Sequence, residues 1–243
     1  MNPSGHTSPP WHPDELAFLR EHGALAPGVG LDEFEQARER WIHSTLREVF
    51  LSPLGLVAKR YTHFPGRRDH RRVWQREHNA LARLRGLNVP DTRGYLSVNH
   101  GRGVTGVLHL RTMLPGTPAQ WSSAREIEML AQLLAQFHQR LVVTLDPQQE
   151  NFIITDVGEG RLGFIDFGRA RTFRARHPLM LFNVGKELAK LGIEGGLTET
   201  QLHSFFTAYK RLMDFTARQW KLIGLSQSYW QKRHARKARR KRG

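Results

Sequence analysis

The sequence predicts an α+β fold with two lobes, a small β-rich lobe followed by a mainly helical one. Over residues 45–113, short apolar stretches alternate with turn-forming residues, which is typical of consecutive strands. From Ser123 onward, apolar residues such as Ile127 and Leu130 recur at helical spacing. The pattern changes at Leu114-Pro115-Gly116, which we interpret as the hinge between the lobes.

Residues 1–40 are predicted as an N-terminal extension with short helices. Residues 14–22 begin with acidic residues and are followed by Gly23, as in a short helix. The weakly amphipathic segment from Asp32 to Trp41 is predicted as a second helix. The N-lobe then occupies residues 41–113.

The N-lobe is predicted to contain two pairs of strands and one helix. Turn-forming residues at Ser52-Pro53 and at 99–103 separate the members of each pair. A basic loop over residues 65–72 precedes the helix. The predicted elements are strands around Val49–Leu51 and Leu54–Ala58, a helix over Val73–Leu84, and strands over Gly94–Val98 and Val104–Met113.

The C-lobe, residues 114–228, is predicted to be helical apart from one hairpin. Ser123 and Glu126 have capping-box spacing at the start of its first helix, and Thr198 is a further candidate cap. The other predicted elements are hairpin strands over Phe152–Thr155 and Arg161–Ile165, and helices from about Pro178 to Leu225 with a break near 192–197.

Composition excludes several classes of protein. The chain of 243 residues has no cysteine, which excludes disulfides and cysteine-based sites. Its first residues lack the apolar segment of a secretory signal, and no apolar run approaches the roughly 20 residues of a membrane-spanning helix. We therefore expect a cytoplasmic protein.

The net charge of +15 indicates anionic partners. Eight Lys and Arg residues lie between Lys232 and Arg242, and residues 229–243 are predicted as a basic tail. One interpretation is a solvated, disordered tail. Another is attraction to an anionic membrane surface or, less favoured, to nucleic acid.

Three residues of the C-lobe have the order and spacing of a phosphotransferase site. Asp146 precedes Asn151 by five positions, and Asp166-Phe167-Gly168 follows an apolar strand. Protein-kinase-like enzymes carry this pattern in the catalytic loop and the metal-binding triplet. Phosphoryl transfer needs a carboxylate that orients the acceptor hydroxyl, and oxygen ligands for Mg²⁺. The hairpin between Asn151 and Asp166 is expected to bring these two together.

Two residues of the N-lobe complete the pattern. Lys59 closes a predicted strand, and Glu77 lies in the first turns of the following helix. In kinases, a Lys and a Glu in these positions form an ion pair that holds the ammonium against the nucleotide phosphates. Lys59 and Glu77 are therefore candidate nucleotide-binding residues.

Two segments resemble the bacterial lipopolysaccharide kinase family, which includes Kdo kinases, WaaP-type heptose kinases and InaA-like proteins. They are LVAKRYTHFPGRRDHRRVWQREHNALARLRG, which begins at Leu56, and LAQFHQRLVVTLDPQQENFIITDVGEGRLGFIDFGRARTF, which begins at Leu134. The resemblance covers roughly residues 40–215. It implies a bilobal protein-kinase-like fold and an enzyme that uses ATP and Mg²⁺.

By this resemblance, Asp146 is the catalytic base, Asn151 and Asp166 are the Mg²⁺ ligands, Lys59 binds phosphate and Glu77 is its partner. The implied acceptor is a sugar hydroxyl of the lipid A–core region of lipopolysaccharide. The implied location is the cytoplasmic face of the inner membrane, with the basic tail at the anionic surface.

The chain departs from the kinase pattern at two places. Thr144 and Leu145 stand where kinases usually carry the His that braces the loop and an Arg or Gly, and Gln148 replaces a frequent basic residue. No glycine-rich stretch precedes Lys59, so the turn that covers the phosphates is sought at residues 42–47, with His43, Ser44 or Arg47 as aids. These departures leave open a catalytically silent nucleotide-binding scaffold or regulator. Two further alternatives share the same catalytic core: a small-molecule kinase and, because of the basic tail, a ribosome- or nucleic-acid-associated kinase.

Overall fold

Two units make up the protein, of which the computed structural model describes residues 7–26, 30–42, 44–65, 73–155 and 160–240. The first unit comprises residues 1–78 and 90–113, and the second comprises residues 79–89 and 114–243. The first is rich in β-structure and the second is mainly helical, so the predicted α+β class is confirmed. The domain limits predicted from the sequence remain predictions.

The first unit is built on an antiparallel sheet of five strands, β1 (Glu35–Ile42), β2 (Thr45–Leu51), β3 (Leu56–His63), β4 (Thr92–Gly101) and β5 (Val104–Thr112). Their order in the sheet is β1-β2-β3-β5-β4. The two predicted strand pairs are therefore present. Lys59 lies on the central strand β3, with β2 and β5 on its two sides.

The segment from Asp32 to Trp41 is mainly a strand, so its prediction as a helix was wrong. After a 3-10 turn at Leu31–Glu33, β1 pairs with β2 along its whole length. As an edge strand, it exposes charged side chains such as Glu39 and Arg40, which edge strands favour. This pairing outweighs the weak helical periodicity of the segment.

Helix α1 (Pro13–Glu21) confirms the first predicted helix. A capping box joins His12 and Glu15 at its start. Glu15 is buried and also accepts hydrogen bonds of 2.9 Å from both Nε and Nη2 of Arg60, a buried residue of β3. The ion pair connects α1 to the sheet, and removing Arg60 would leave the buried Glu15 carboxylate without its cation.

The second unit is dominated by helices α3 (Ala124–Gln139), α4 (Pro178–Glu194), α5 (Glu199–Leu212) and α6 (Ala217–Arg240). Helix α2 (Val73–Arg83) begins in the first unit and ends in the second. The short strands are β6 (Thr117–Pro118), β7 (Val142–Val143), β8 (Phe152–Thr155), β9 (Arg161–Phe164) and β10 (Arg171–Thr172). The predicted hairpin is the antiparallel pair β8 and β9.

The predicted helix caps are present with one difference. Thr198 and Gln201 form a complete capping box at the start of α5. Ser123 caps α3 by accepting a hydrogen bond from the backbone N–H of Glu126. The Glu126 carboxylate bonds Ser122 rather than Ser123, so the predicted capping box is only half formed.

The segment interpreted as a basic tail continues α6 as far as Arg240. Lys232, Arg233, Arg236 and Lys237 are exposed along its last turns. In the described part of the chain, no helix has both the length and the apolar character of a membrane span. The basic loop at 66–72, the hairpin turn at 156–159 and His43 lie outside the described residues.

Candidate active site

The loop between β7 and β8 brings Asp146 and Asn151 together. The side-chain amide of Asn151 donates a hydrogen bond of 2.9 Å to the backbone carbonyl of Asp146. The Asn151 backbone N–H donates to the carbonyl of Gln148 at 3.0 Å, closing a 3-10 turn. Because the Asn151 amide nitrogen is used as a donor, its side-chain oxygen is the atom suited to bind a cation.

Asp166 lies beside Asn151, as the hairpin predicts. Phe152 pairs with Phe164 in the β8–β9 ladder, and the Ile165 N–H donates to the Asn151 carbonyl at 3.0 Å. The Asp166 carboxylate accepts a bond of 2.9 Å from the Gly168 N–H. The hairpin therefore holds the backbones of both candidate metal ligands next to each other.

The Asp146 carboxylate is held by two cations that are not among the predicted site residues. Lys190 of α4 donates to Asp146 Oδ1 at 2.8 Å, and Arg169 donates to the same oxygen at 3.1 Å. Lys190 also donates to the Leu145 carbonyl at 3.1 Å and pairs with Glu194 at 3.0 Å. Lys190 supplies a buried cation to this loop, where Gln148 replaces the usual basic residue.

A buried carboxylate on α4 braces the loop in place of the usual His. The Thr144 hydroxyl and the Leu145 N–H, the latter at 2.8 Å, both donate to Glu187 Oε1. Leu145 has a φ of 61°, a left-handed conformation that costs energy for a non-glycine residue. The bond from its N–H to Glu187 fixes that conformation directly before Asp146.

The other oxygen of Glu187 belongs to the same buried network. His138 Nε2 lies 2.6 Å from Glu187 Oε2, and His138 Nδ1 lies 2.6 Å from the Tyr209 hydroxyl. Burial, followed by the charge of Glu187, raises the pKa of Tyr209 well above its usual value. The Tyr209 hydroxyl therefore stays protonated and can donate to His138, which can donate to Glu187 from Nε2.

Sequence reasoning missed Glu187 and Lys190, although a signal was present. Both stand in the apolar helix PLMLFNVGKELAKLGIE, spaced three positions apart, so they project from the same side of the helix. A charged residue that is buried is almost always paired. Charged residues in a largely apolar helix therefore predict a buried polar contact, but because Lys186 and Glu194 are also present, the sequence identifies neither which residues are buried nor their partner.

The predicted pair of Lys59 and Glu77 is present in the first unit. Lys59 Nζ lies 2.7 Å from Oε1 and 2.9 Å from Oε2 of Glu77, whose side chain is fully buried. Arg111 of β5 is a second cation for this carboxylate, with its Nε 3.3 Å from Oε1. The sequence pattern gives no signal for Arg111.

A neutral histidine lies next to this pair. His109 is the register partner of Lys59 across β3 and β5, and its Nε2 is 3.1 Å from the Thr92 hydroxyl. Burial is the main cause that lowers the pKa of His109 to about 4, and Lys59 and Arg111 lower it further. At neutral pH the positive charge near Glu77 therefore comes from Lys59 and Arg111.

The residues considered for phosphate covering lie at the start of β2. Ser44 accepts a backbone bond of 2.8 Å from Phe64, and the Arg47 guanidinium lies 5.9 Å from the centre of the Tyr61 ring. Neither contact assigns them a ligand, and their role in covering phosphates remains a prediction.

The candidate metal ligands fit a hard cation that takes other oxygen ligands from phosphate and water. Among the residues described, no group of three His, Asp or Glu side chains could hold a metal ion alone. Mg²⁺ is usually bound by one or two carboxylates together with substrate phosphates. The adjacent positions of Asn151 and Asp166 suit that mode, and the catalytic and ligand roles of all five predicted residues remain predictions.

Comparisons with known proteins identify the fold. No family model and no curated protein matches the chain. A solved structure of WaaP in complex with acyl carrier protein matches with a TM-score of 0.60 and 18% identity, over 90% of this chain and 95% of that chain. A structure of the amicoumacin kinase hAmiN in complex with AMP-PNP, Ca²⁺ and Ami matches with a TM-score of 0.58 and 10% identity, over 86% of this chain and 81% of that chain.

The chain has a kinase-like fold. The resemblance stated from the segments at Leu56 and Leu134 is thus confirmed at the level of the fold. Within this kinase-like fold, the second unit places Asp146, Asn151 and Asp166 on one loop and the adjoining hairpin, as the motif spacing predicts.

Proposed function

We propose that this protein is a kinase that transfers the γ-phosphoryl group of ATP, with Mg²⁺, to a sugar hydroxyl of the lipopolysaccharide core. The observation that carries the proposal is the arrangement of three residues within a kinase-like fold: Asn151 bonds the Asp146 carbonyl, and the Ile165–Asn151 backbone bond places Asp166 beside them. Chance spacing does not account for three such residues meeting around one loop.

In the proposed reaction, Asp146 orients the acceptor hydroxyl and takes its proton. The hydroxyl oxygen bonds to the γ-phosphorus while the bond to the β–γ bridging oxygen breaks, and ADP leaves. Lys190 and Arg169 fix one carboxylate oxygen of Asp146, which sets the direction of the other. Asn151 and Asp166 would hold a Mg²⁺ ion, which would neutralise charge on the phosphates.

Lys59 has the proposed role of binding nucleotide phosphate. Its ammonium is held by both oxygens of Glu77, so it loses little conformational freedom when it binds an anion. Arg111 keeps Glu77 compensated while Lys59 shares its charge with the nucleotide.

The proposed acceptor and location are supported by likeness and by charge. WaaP is among the solved structures that match, and WaaP-type kinases belong to the family that the sequence resembles. The net charge of +15 and the exposed cations at the end of α6 suit a phosphorylated glycolipid at an anionic surface. We therefore propose that the kinase acts at the cytoplasmic face of the inner membrane.

Phosphorylation of a small soluble molecule is the second candidate function. It is supported by the likeness to the amicoumacin kinase, whose structure holds AMP-PNP and Ca²⁺. The catalytically silent alternative was motivated by Thr144 and Leu145. Because Glu187 bonds both residues, their presence no longer argues for a disordered catalytic loop.

A phosphate-transfer assay tests the proposal. We expect purified protein with Mg²⁺ and radiolabelled ATP to label lipopolysaccharide core oligosaccharide, and Asp146→Ala to lower the rate by about 10²-fold to 10⁴-fold. Asp214→Ala is the matched control, because Asp214 is an exposed carboxylate of the same unit that pairs with Arg176. Equal rates for Asp146→Ala and the native protein would refute the catalytic assignment.

Nucleotide binding measured together with phosphate transfer separates the silent alternative from the active one. A ligand at 100 times its Kd adds about 2.7 kcal/mol to the free energy of unfolding. Thermal stabilisation by ATP that depends on Mg²⁺ and is reduced in Lys59→Met is expected for both. Such stabilisation without transfer to the core, to a small molecule such as amicoumacin or to RNA would favour a silent scaffold.

A further inference from the structure

A row of cations extends from Asp146 along α4 to Arg233 on α6. Lys190 bonds Asp146, and Lys186 lies one turn before it on α4. The Lys186 ammonium lies 4.2 Å from the centre of the Trp230 ring on α6, and the Arg233 guanidinium lies 5.1 Å from the same ring. Trp230 thus holds cations from two helices close together.

Arg171 belongs to the same cluster. It is on β10, where it pairs with Val143, three positions before Asp146. Burial, and then the charges of Arg171, Lys190, Arg233 and Arg169 in that order, lower the pKa of Lys186. The cluster therefore concentrates positive charge beside the candidate catalytic carboxylate.

Three of these cations have no carboxylate partner within the described ranges. Lys190 and Arg169 bond Asp146, but Arg171, Lys186 and Arg233 form no ion pair with any described residue. Like charges held together in this way repel, and a bound anion relieves the repulsion. The indole ring of Trp230 restricts two of the three side chains, so less conformational entropy is lost on binding.

We propose that Arg171, Lys186 and Arg233 form an anion-binding subsite for the acceptor, which takes a phosphate or carboxylate group on the glycan that is phosphorylated. The inference rests on the proposed kinase function and deepens it. Because the cluster continues directly from the residues that bond Asp146, the subsite sets the position of the acceptor hydroxyl relative to that carboxylate. A guanidinium can bind such a group through two parallel hydrogen bonds.

The subsite predicts that an anionic acceptor is preferred and that the preference depends on these residues. We would measure KM and Kd for phosphorylated core oligosaccharide and for the same oligosaccharide after enzymatic removal of phosphate. Lys186→Gln and Arg233→Gln are each expected to raise both constants about tenfold for the phosphorylated form. Binding of the dephosphorylated form is expected to change less than about twofold.

Lys221→Gln is the matched control, since Lys221 is an exposed cation on α6 and its substitution removes the same charge. Arg171 is an exposed strand residue, so Arg171→Gln still tests the subsite if Lys186→Gln or Arg233→Gln unfolds the protein. Thermal melting of every variant checks the fold. Equal losses in Lys221→Gln and Lys186→Gln, or none in either, would overturn the proposal.

Further measurements identify the source of the anion and test the subsite separately from the kinase function. A Lys186→Gln effect confined to phosphatidylglycerol vesicles would indicate a lipid headgroup, and one confined to a single-stranded RNA would indicate nucleic acid; either overturns the subsite. Phosphate transfer with unchanged KM in the variants would refute the subsite and leave the kinase function standing. Weaker binding of the phosphorylated oligosaccharide in the variants, with no transfer by the native protein, would refute the function and support the subsite.

Discussion

The two candidate sites support their carboxylates in different ways. In the first unit, Glu77 is bonded directly by Lys59, with Arg111 as a second cation. In the second unit, Asp146 lies on a loop whose buried supports, Lys190 and Glu187, both come from α4, more than 40 positions away. The first arrangement joins two motif residues to each other. The second joins a motif residue to a helix with no recognisable motif.

This difference indicates where each site is vulnerable. Glu77 keeps one cation if the other is removed, because Lys59 and Arg111 lie on separate strands. Glu187 alone accepts the Thr144 and Leu145 bonds and also contacts His138. We therefore expect the second site to depend more on a single residue than the first.

Replacing Glu187 is the largest expected effect. Glu187→Ala leaves the Thr144 hydroxyl, the Leu145 N–H and His138 without their buried partner, which should lower the free energy of unfolding by about 3–5 kcal/mol. Urea denaturation measures this loss. Phosphate transfer at a temperature where the variant is folded should also fall, because Leu145 is released directly before Asp146.

Glu194→Ala is the matched control for Glu187→Ala. Glu194 is on the same helix and pairs with Lys190, but its side chain is 29% exposed. Its removal is expected to cost less than about 1 kcal/mol. If both variants lose the same stability, Glu187 is not the main support of the loop.

The sequence predicted those parts of the fold and site that depend on local patterns. The hairpin after Asn151, the Thr198 cap and the pairing of Lys59 with Glu77 all follow from spacing within one or two elements. The strand at 35–42 was missed because its pairing with β2 decides its structure and its own periodicity is weak.

The parts that the sequence did not predict depend on long-range contacts. The contact of Glu187 with Leu145 spans 42 positions, and no spacing rule connects them. Arg111 is opposite Val57 on the neighbouring strand, a register that only the assembled sheet defines. A buried charge in an apolar helix predicts that a partner exists, and the fold determines which residue it is.

Lowering the pH is expected to destabilise the protein through His109, which lies next to the Lys59–Glu77 pair. Because burial lowers the pKa of His109 from its ordinary value of 6.5 to about 4 in the folded protein, the unfolded state binds the extra proton between these values. Stability should therefore fall as pH decreases from 6.5 to 4, by at most about 3 kcal/mol. Urea denaturation of native protein and His109→Asn over this range measures it. An equally steep loss in His109→Asn would assign the effect to other groups.

A double-mutant cycle tests the redundancy at Glu77. Lys59→Met is expected to cost about 1–2 kcal/mol, less than breaking a two-residue buried pair, because Arg111 remains 3.3 Å from Glu77. Arg111→Met should behave similarly. The double variant leaves Glu77 without either cation, so its loss should exceed the sum of the single losses by more than about 0.5 kcal/mol. Additive losses would show that the two cations do not substitute for each other.

The smallest expected effect concerns the Ser123 cap of α3, which the sequence predicts. Ser123 accepts one bond, from the Glu126 N–H, while the Glu126 carboxylate bonds Ser122. Ser123→Ala should therefore cost about 1 kcal/mol, as for a single N-cap, and Ser122→Ala should cost less because that contact is exposed. Urea denaturation of both variants measures the difference. If Ser122→Ala costs more, the contact of Glu126 with Ser122 stabilises the start of α3 more than the Ser123 cap does. The sequence pattern would then have predicted the correct helix start from a hydrogen bond that is not its main support.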